Sequence, residues 1–391
     1  MATSFNRRNW IKASAMLAGG FALLPNLNFT AQAKPMNIQS RKRITDEMIA
    51  EMAEEPVIPK LKARLFANEN PFGPSAKAKK AIKEAMATSY QYPFMFVREL
   101  ATQIAAYEGV QRDQVLMSAG SSPILLAAAM YFSKGGGNVI SGDPSYDDLT
   151  DRVEQFGGKW IKVPLTQDFK LDLDAMEKLV DDKTSLVYIC NPNNPTGTVL
   201  ETAKLKAFCE RVSKKTAVFV DEAYIDYLDD PATASLVDCI KKNQNVIVAR
   251  TFSKLYGFAG LRIGYMIAQP AMVKSLEAYC PGGSSISATS IKAALASYND
   301  KDFLNDALKK TRASKQFLYD VLTKEGYSYI PSSTNFVMFA IGMDGERFTQ
   351  EMMKRGVGVR NWKFNSKNWC RVSIGKMEEM EAFAEAFKQI S

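Results

Sequence analysis

The chain has 391 residues, 46% hydrophobic and 24% charged, with a formal net charge of +8. That is globular composition, and it excludes disorder over most of the length. Histidine is absent, which excludes a Ser-His-Asp triad, a Cys-His dyad and any His-ligated metal site; no metal is expected. The charge is mild for this length and no long block of one sign occurs, so a nucleic-acid partner is not expected. The five cysteines (Cys190, Cys209, Cys239, Cys280, Cys370) are odd in number and form no CxxC pair, so neither a disulfide framework nor a zinc knuckle is expected.

Residues 1–33 differ from the rest. Arg7-Arg8-Asn9-Trp10-Ile11-Lys12 is followed by an uncharged stretch rich in Ala, Leu and Gly, then by Ala31-Gln32-Ala33, a small-x-small cleavage pattern. Gly19, Gly20, Pro25, Asn26 and Asn28 make the stretch a poor membrane span. The segment resembles a twin-arginine signal peptide, which implies transient contact with that export machinery and a soluble periplasmic protein. An ordinary secretory signal containing two adjacent arginines is the alternative.

Residues 34–65 read as an N-terminal arm or linker. Residues 76–88 predict a helix with Ala81, Ile82, Ala85 and Met86 on its apolar face, and residues 97–107 a second. Residues 115–118 predict a strand running into Gly120-Ser121-Ser122-Pro123, then a helix over 124–132. Further short strands are expected at 138–141, 185–190, 217–220 and 246–249, each ending in a polar cluster. Strands separated by helices predict an α/β fold with a mostly parallel sheet flanked by helices. Beyond about residue 299, long helices and later apolar runs predict a smaller α+β domain. The expected division is 66–285 for the large domain and 286–391 for the small one.

The polar clusters fall just past strand ends, where open α/β sheets bind ligands. In Thr251-Phe252-Ser253-Lys254-Leu255-Tyr256-Gly257-Phe258-Ala259-Gly260-Leu261-Arg262, the Lys254 amine suits condensation with an aldehyde. Thr251, Ser253 and Arg262 suit a phosphate. Pyridoxal phosphate joins an aldehyde and a phosphate through one ring. Asp221 in Val220-Asp221-Glu222-Ala223-Tyr224 could keep the ring nitrogen protonated, and Tyr224 could donate to the ring oxygen. Taken singly, Lys254 reads as a solvated charge, Asp221 as a helix N-cap and Tyr146 as core packing. The N–H groups of Ser121 and Ser122 could meet a phosphate at a helix start, Tyr146 could stack on a ring, and an amide of Asn191-Pro192-Asn193-Asn194 could face the ring oxygen.

Together these clusters resemble the fold-type I pyridoxal-phosphate aminotransferases of class I/II, with the histidinol-phosphate aminotransferase group nearest. The resemblance runs over about residues 60–390 and adds Asn68-Glu69-Asn70-Pro71, Tyr92-Pro93, Arg98-Glu99-Leu100-Ala101 and Arg371-Val372-Ser373-Ile374-Gly375. It implies that Lys254 carries the cofactor as a Schiff base and moves the substrate proton. It implies Asp221 on the ring nitrogen, Asn194 and Tyr224 on the ring oxygen, and Tyr146 stacked on the ring. Ser121, Ser122, Thr251, Ser253 and Arg262 would hold the phosphate, and Tyr92 would reach the phosphate of a neighbouring subunit, making the protein a homodimer. Arg371, Arg360 and Asn70 would meet an amino donor and a 2-oxo acid acceptor. The sequence departs from the histidinol-phosphate group at Pro123, at Cys280-Pro281-Gly282-Gly283-Ser284-Ser285 and in its N-terminal segment. Cofactor contacts do not choose which bond breaks. Decarboxylation, racemisation or elimination on the same fold, or a non-enzymatic cofactor-retaining protein, are therefore the alternatives.

Overall fold

A computed structural model describes residues 61–390. The twin-arginine reading of residues 1–33 and most of the expected arm lie outside these residues. A seven-stranded sheet is built from β2 (Val115–Ser118), β3 (Asn138–Asp143), β4 (Lys159–Pro164), β5 (Thr184–Cys190), β6 (Ala217–Asp221), β7 (Val246–Thr251) and β8 (Gly264–Ile267). Their order is β2-β8-β7-β6-β5-β3-β4, and only β8 runs against its neighbours. The strand ends bearing Ser118, Asp143, Cys190, Asp221 and Thr251 therefore lie along one edge.

The central strands are near-continuous apolar runs because both faces are covered. Side chains alternate between two cores. Val187, Ile189, Val218, Val220, Val246 and Val248 pack into one, and Leu186, Tyr188, Phe219 and Ile247 into the other. The same alternation puts Asp221 and Thr251 on the face shared by Tyr188 and Phe219, and Arg250 on the opposite face. The helix Ser122–Phe132 is apolar nearly all round and correspondingly buried.

A four-stranded antiparallel sheet, β12 (Arg360–Phe364), β13 (Lys367–Ser373), β10 (Phe336–Ile341) and β9 (Tyr329–Ile330), carries the C-terminal part. The helices Lys301–Lys324 and Met377–Phe387 contribute Leu318, Leu322, Phe383 and Phe387 to its core. A two-stranded parallel pair joins β1 (Ala63–Arg64) to β11 (Val357–Gly358). Residues 63–64, assigned to the arm from sequence, are thus strand.

Two other expectations need correction. Met86 lies in a 3-10 turn after the helix Ala76–Ala85 and is 62% exposed; Ala78 and Ala85 form the buried stripe. The sequence from Ser332 to Ala340, one of the later apolar runs, starts its strand only at Phe336, because the Ser332 and Thr334 hydroxyls accept from the Thr334 and Phe336 N–H groups and turn the chain before it. All five cysteines are free and buried.

Candidate active site

The strand edge opens into a cavity of about 700 Å³ lined by Ser121, Ser122, Tyr146, Asn194, Asp221, Tyr224, Thr251, Ser253, Lys254, Arg262, Arg360 and Arg371. Residues 121 to 262 converge here because β2, β3, β5, β6 and β7 end at this edge, and Arg360 and Arg371 reach the cavity from β12 and β13 of the second sheet.

Asp221 ends β6, is 1% exposed, and accepts hydrogen bonds from the Ala223 N–H (3.1 Å) and the Tyr188 hydroxyl (3.3 Å). Burial pushes its carboxyl up to about 6, against those two bonds and the charge of Lys254. It caps no helix; its one backbone bond closes a local turn. A carboxylate buried this deeply and raised in this way is short of a cation.

Lys254 follows β7, with Nζ 5.3 Å from the Tyr224 ring centroid. Among the described residues it makes no hydrogen bond or ion pair. Tyr224 is held from the other side: its hydroxyl accepts from Asn68 Nδ2 (2.9 Å), and Asn68 Oδ1 accepts from Ser373 Oγ (2.8 Å).

An anion cradle lies beside Lys254. The Thr251 hydroxyl donates to Ser253 Oγ (2.9 Å), and Arg262 Nη1 reaches the same oxygen (3.2 Å). Arg262 has φ 54°, a conformation rare outside glycine. Gly120 (φ 88°) allows the approach, since any Cβ there would collide with the Arg262 guanidinium. Gly264 is under the same constraint, because a Cβ would come within 2.6 Å of the Gly120 carbonyl carbon. At the start of the helix Ser122–Phe132 the Ser121 carbonyl accepts the Ile124 and Leu125 N–H groups and Pro123 has none to offer, which leaves the Ser121 and Ser122 N–H groups without an acceptor among the described residues at the helix's positive end.

Arg371 projects from β13 and is 2% exposed. Nη1 donates to Asn194 Oδ1 (2.6 Å) and Nη2 to the Phe66 carbonyl (3.0 Å), while Nε is buried without a partner. Burial pushes its guanidinium down to about 10, and nearby Arg360 adds to this. An arginine so placed lacks an anion. Arg360 lies at the start of β12, 5.3 Å from the Trp362 ring centroid. Tyr146 is partly buried against the core yet lines the cavity; its hydroxyl is pushed up by burial first and then by the charges of Asp148 and Asp221.

Two expected residues stand elsewhere. Asn70 does not line the cavity: Nδ2 donates to the Leu255 carbonyl (2.5 Å) and Oδ1 accepts from the Phe72 N–H (3.0 Å), which ties the Lys254 segment to the N-terminal loop. Tyr92 is 79% exposed, stacked on Phe94 with ring centroids 5.3 Å apart, and outside the cavity of its own chain. Sequence reasoning missed Asn68, Phe66 and Tyr188. Asn68 was within reach, because it opens the Asn68-Glu69-Asn70-Pro71 motif; Tyr188 reads only as one more apolar strand residue.

Residues 61–387 match the family model for aminotransferase class I and II. Histidinol-phosphate aminotransferase 1 of Bacillus cereus is 34% identical, over 92% of this chain and 96% of its own length. Aromatic amino acid aminotransferase of Cutibacterium acnes is also 34% identical, over 83% of this chain and 92% of its own. The crystal structure of histidinol-phosphate aminotransferase from Sinorhizobium meliloti in complex with pyridoxal-5'-phosphate superimposes with a TM-score of 0.79 at 26% identity, covering 94% of this chain and all of that one. The chain therefore belongs to the aminotransferase class I and II family.

Proposed function

We infer that the cavity holds pyridoxal phosphate and that the chain is a pyridoxal-phosphate-dependent aminotransferase, acting between an amino acid and a 2-oxo acid. The observation that carries this reading is one cavity offering a free lysine, a buried carboxylate short of a cation and a three-residue anion cradle. These match the aldehyde, ring nitrogen and phosphate of the cofactor in number and sign. When bound, the cofactor supplies a carbonyl that takes up the amino group and a ring that accepts the electrons of the broken bond.

The chain's own residues do the rest. Arg262, Ser253, Thr251 and the N–H groups of Ser121 and Ser122 grip the phosphate. Asp221, fixed by Tyr188 and Ala223, holds a proton at the ring nitrogen. Tyr146 covers one ring face. Tyr224 and Asn194 face the ring oxygen, Asn194 through an amide nitrogen that makes no bond among the described residues. Lys254 Nζ takes the proton from the substrate α-carbon and returns it. Arg371 binds the substrate carboxylate, and Arg360 a second anionic group. Glu69, Phe66, Met353 and Val359 form part of the remaining wall.

Two arginines in one cavity suit a substrate with anionic groups. We favour an amino acid whose carboxylate lies on Arg371. Histidinol phosphate, whose phosphate would take that place, is the second reading and is supported by the Bacillus cereus relative. The test is half-reaction kinetics with a panel of amino acids and histidinol phosphate. An α-amino acid should react fastest and lose at least a hundredfold in kcat/KM in Arg371→Ala. Fastest reaction with histidinol phosphate would transfer the assignment to the second reading.

We further propose a homodimer in which Tyr92 reaches the partner's phosphate, a division into domains near residue 285, and twin-arginine export to the periplasm. Tyr90, Tyr92, Phe94 and Met95 are 59–82% exposed and close together in the sequence, and such clustered apolar exposure favours a partner. The arginine pair and the small-x-small site support the export route. N-terminal sequencing of exported protein should begin after Ala33; an intact Met1 would contradict it.

A further inference from the structure

On the opposite face of the β7 end lies a second cavity, of about 830 Å³, within the range of small-molecule sites. Its floor is Arg250, which donates to Glu108 (2.5 Å), Glu222 (2.9 Å) and the Ser235 hydroxyl (2.7 Å). Two carboxylates already share that one guanidinium. Asp226 lines the same cavity and makes no hydrogen bond or ion pair among the described residues, so negative charge is in excess. Burial pushes Asp226 up to about 6; Arg250 opposes the rise, and Glu108 and Glu222 add to it. The walls include Tyr107, Phe252, Tyr256, Tyr265 and Tyr298. Aromatic side chains beside a carboxylate that has no hydrogen bond or ion pair of its own are the chemistry that takes up organic cations.

The mouth carries the opposite sign. Lys241 and Arg312 are paired there with Asp238 and Asp229. Lys301 and Lys309 line the mouth with no acidic partner among the described residues. A simple cation would be repelled at this entrance, whereas a carboxylate would be held.

We propose that this cavity binds a small zwitterion, its ammonium or guanidinium end against Asp226 and the tyrosines and its carboxylate toward Lys301 and Lys309. Phe252 and Leu255 line this cavity, while Ser253 and Lys254 line the other. The ligand thus rests against the back of the segment that carries Lys254.

Isothermal titration calorimetry of the full chain with γ-butyrobetaine tests the proposal. That probe bears a quaternary ammonium and a carboxylate but no primary amine, so it cannot serve as an amino donor. One saturable site per chain is expected. Choline and butyrate, with one charge each, should bind at least tenfold more weakly. Asp226→Asn should weaken γ-butyrobetaine at least tenfold, with its fold checked by thermal melting. Tyr107→Ala alters a rim residue that is 64% exposed, so it leaves the fold intact, and it should also weaken binding. Arg371→Ala, in the first cavity, should leave it unchanged. Absence of binding to the unaltered chain, undiminished binding in Tyr107→Ala, loss in Arg371→Ala, or choline binding as tightly as γ-butyrobetaine would overturn the proposal.

Discussion

Asp221 is one residue on which environment and role can be separated. Its carboxyl stands near 6 in the folded chain against about 4 when unfolded. Between those values the folded state binds more protons, so this group's contribution to stability falls as pH rises from about 4 to 6 and is level above. Asp221→Asn removes that loss. The cofactor-free variant should therefore gain on the unaltered chain in melting temperature across this interval, by several degrees, and the gap should then stay constant. With pyridoxal phosphate bound the order should reverse, because the ring nitrogen loses its partner. A melting gap independent of pH would contradict the assignment. Gly120→Ala probes the cradle: the displaced Arg262 should weaken cofactor affinity at least tenfold, measured by equilibrium dialysis, and the strain of alanine at φ 88° should also lower the melting temperature of the cofactor-free chain. Lys254 and Asp221 were legible because each sits in a local motif. Asn68 and Tyr188 act through partners 156 and 33 positions away, and no local spacing reveals such a contact.

The strand is the unit that brings these residues together. Alternation along β7 sends Thr251 to the cofactor side and Arg250 to the other, where it ties Glu108, Glu222 and Ser235 to the sheet. Arg250→Met would strand two buried carboxylates and should cost about 3–5 kcal/mol in denaturant unfolding. A cost below about 1 kcal/mol would mean that water replaces the guanidinium. The parallel strands were legible as apolar runs with polar ends. The reversal of β8 was not, because Gly264–Ile267 is too short an apolar run to show direction. β4 was missed because three of its six residues are exposed and its hydrophobic pattern is broken.

At the scale of the molecule, one sheet supplies the lysine, carboxylate and anion cradle, and the other supplies Arg371 and Arg360. The two sheets meet in the cavity through the Asn194–Arg371 hydrogen bond (2.6 Å). The alternation of strands and helices told the architecture in advance, and the pairing of β1 with β11 was hidden because a two-residue strand has no pattern of its own. The exposed Tyr90–Met95 strip belongs to this scale. A Tyr90→Asp, Phe94→Asp double variant should sediment as a monomer and bind cofactor more weakly than the unaltered chain, while a sedimentation coefficient unchanged from that of the parent would contradict the dimer.

One cavity is proposed to join Lys254 to the cofactor and the cofactor to amino transfer. The most direct measurement is the visible absorption spectrum of the full chain after addition of pyridoxal phosphate, followed by an amino acid and then a 2-oxo acid. A protein-bound visible band is expected that the amino acid abolishes and the 2-oxo acid restores, with neither change in Lys254→Ala. No band at saturating cofactor, or the same cycle in Lys254→Ala, would contradict it.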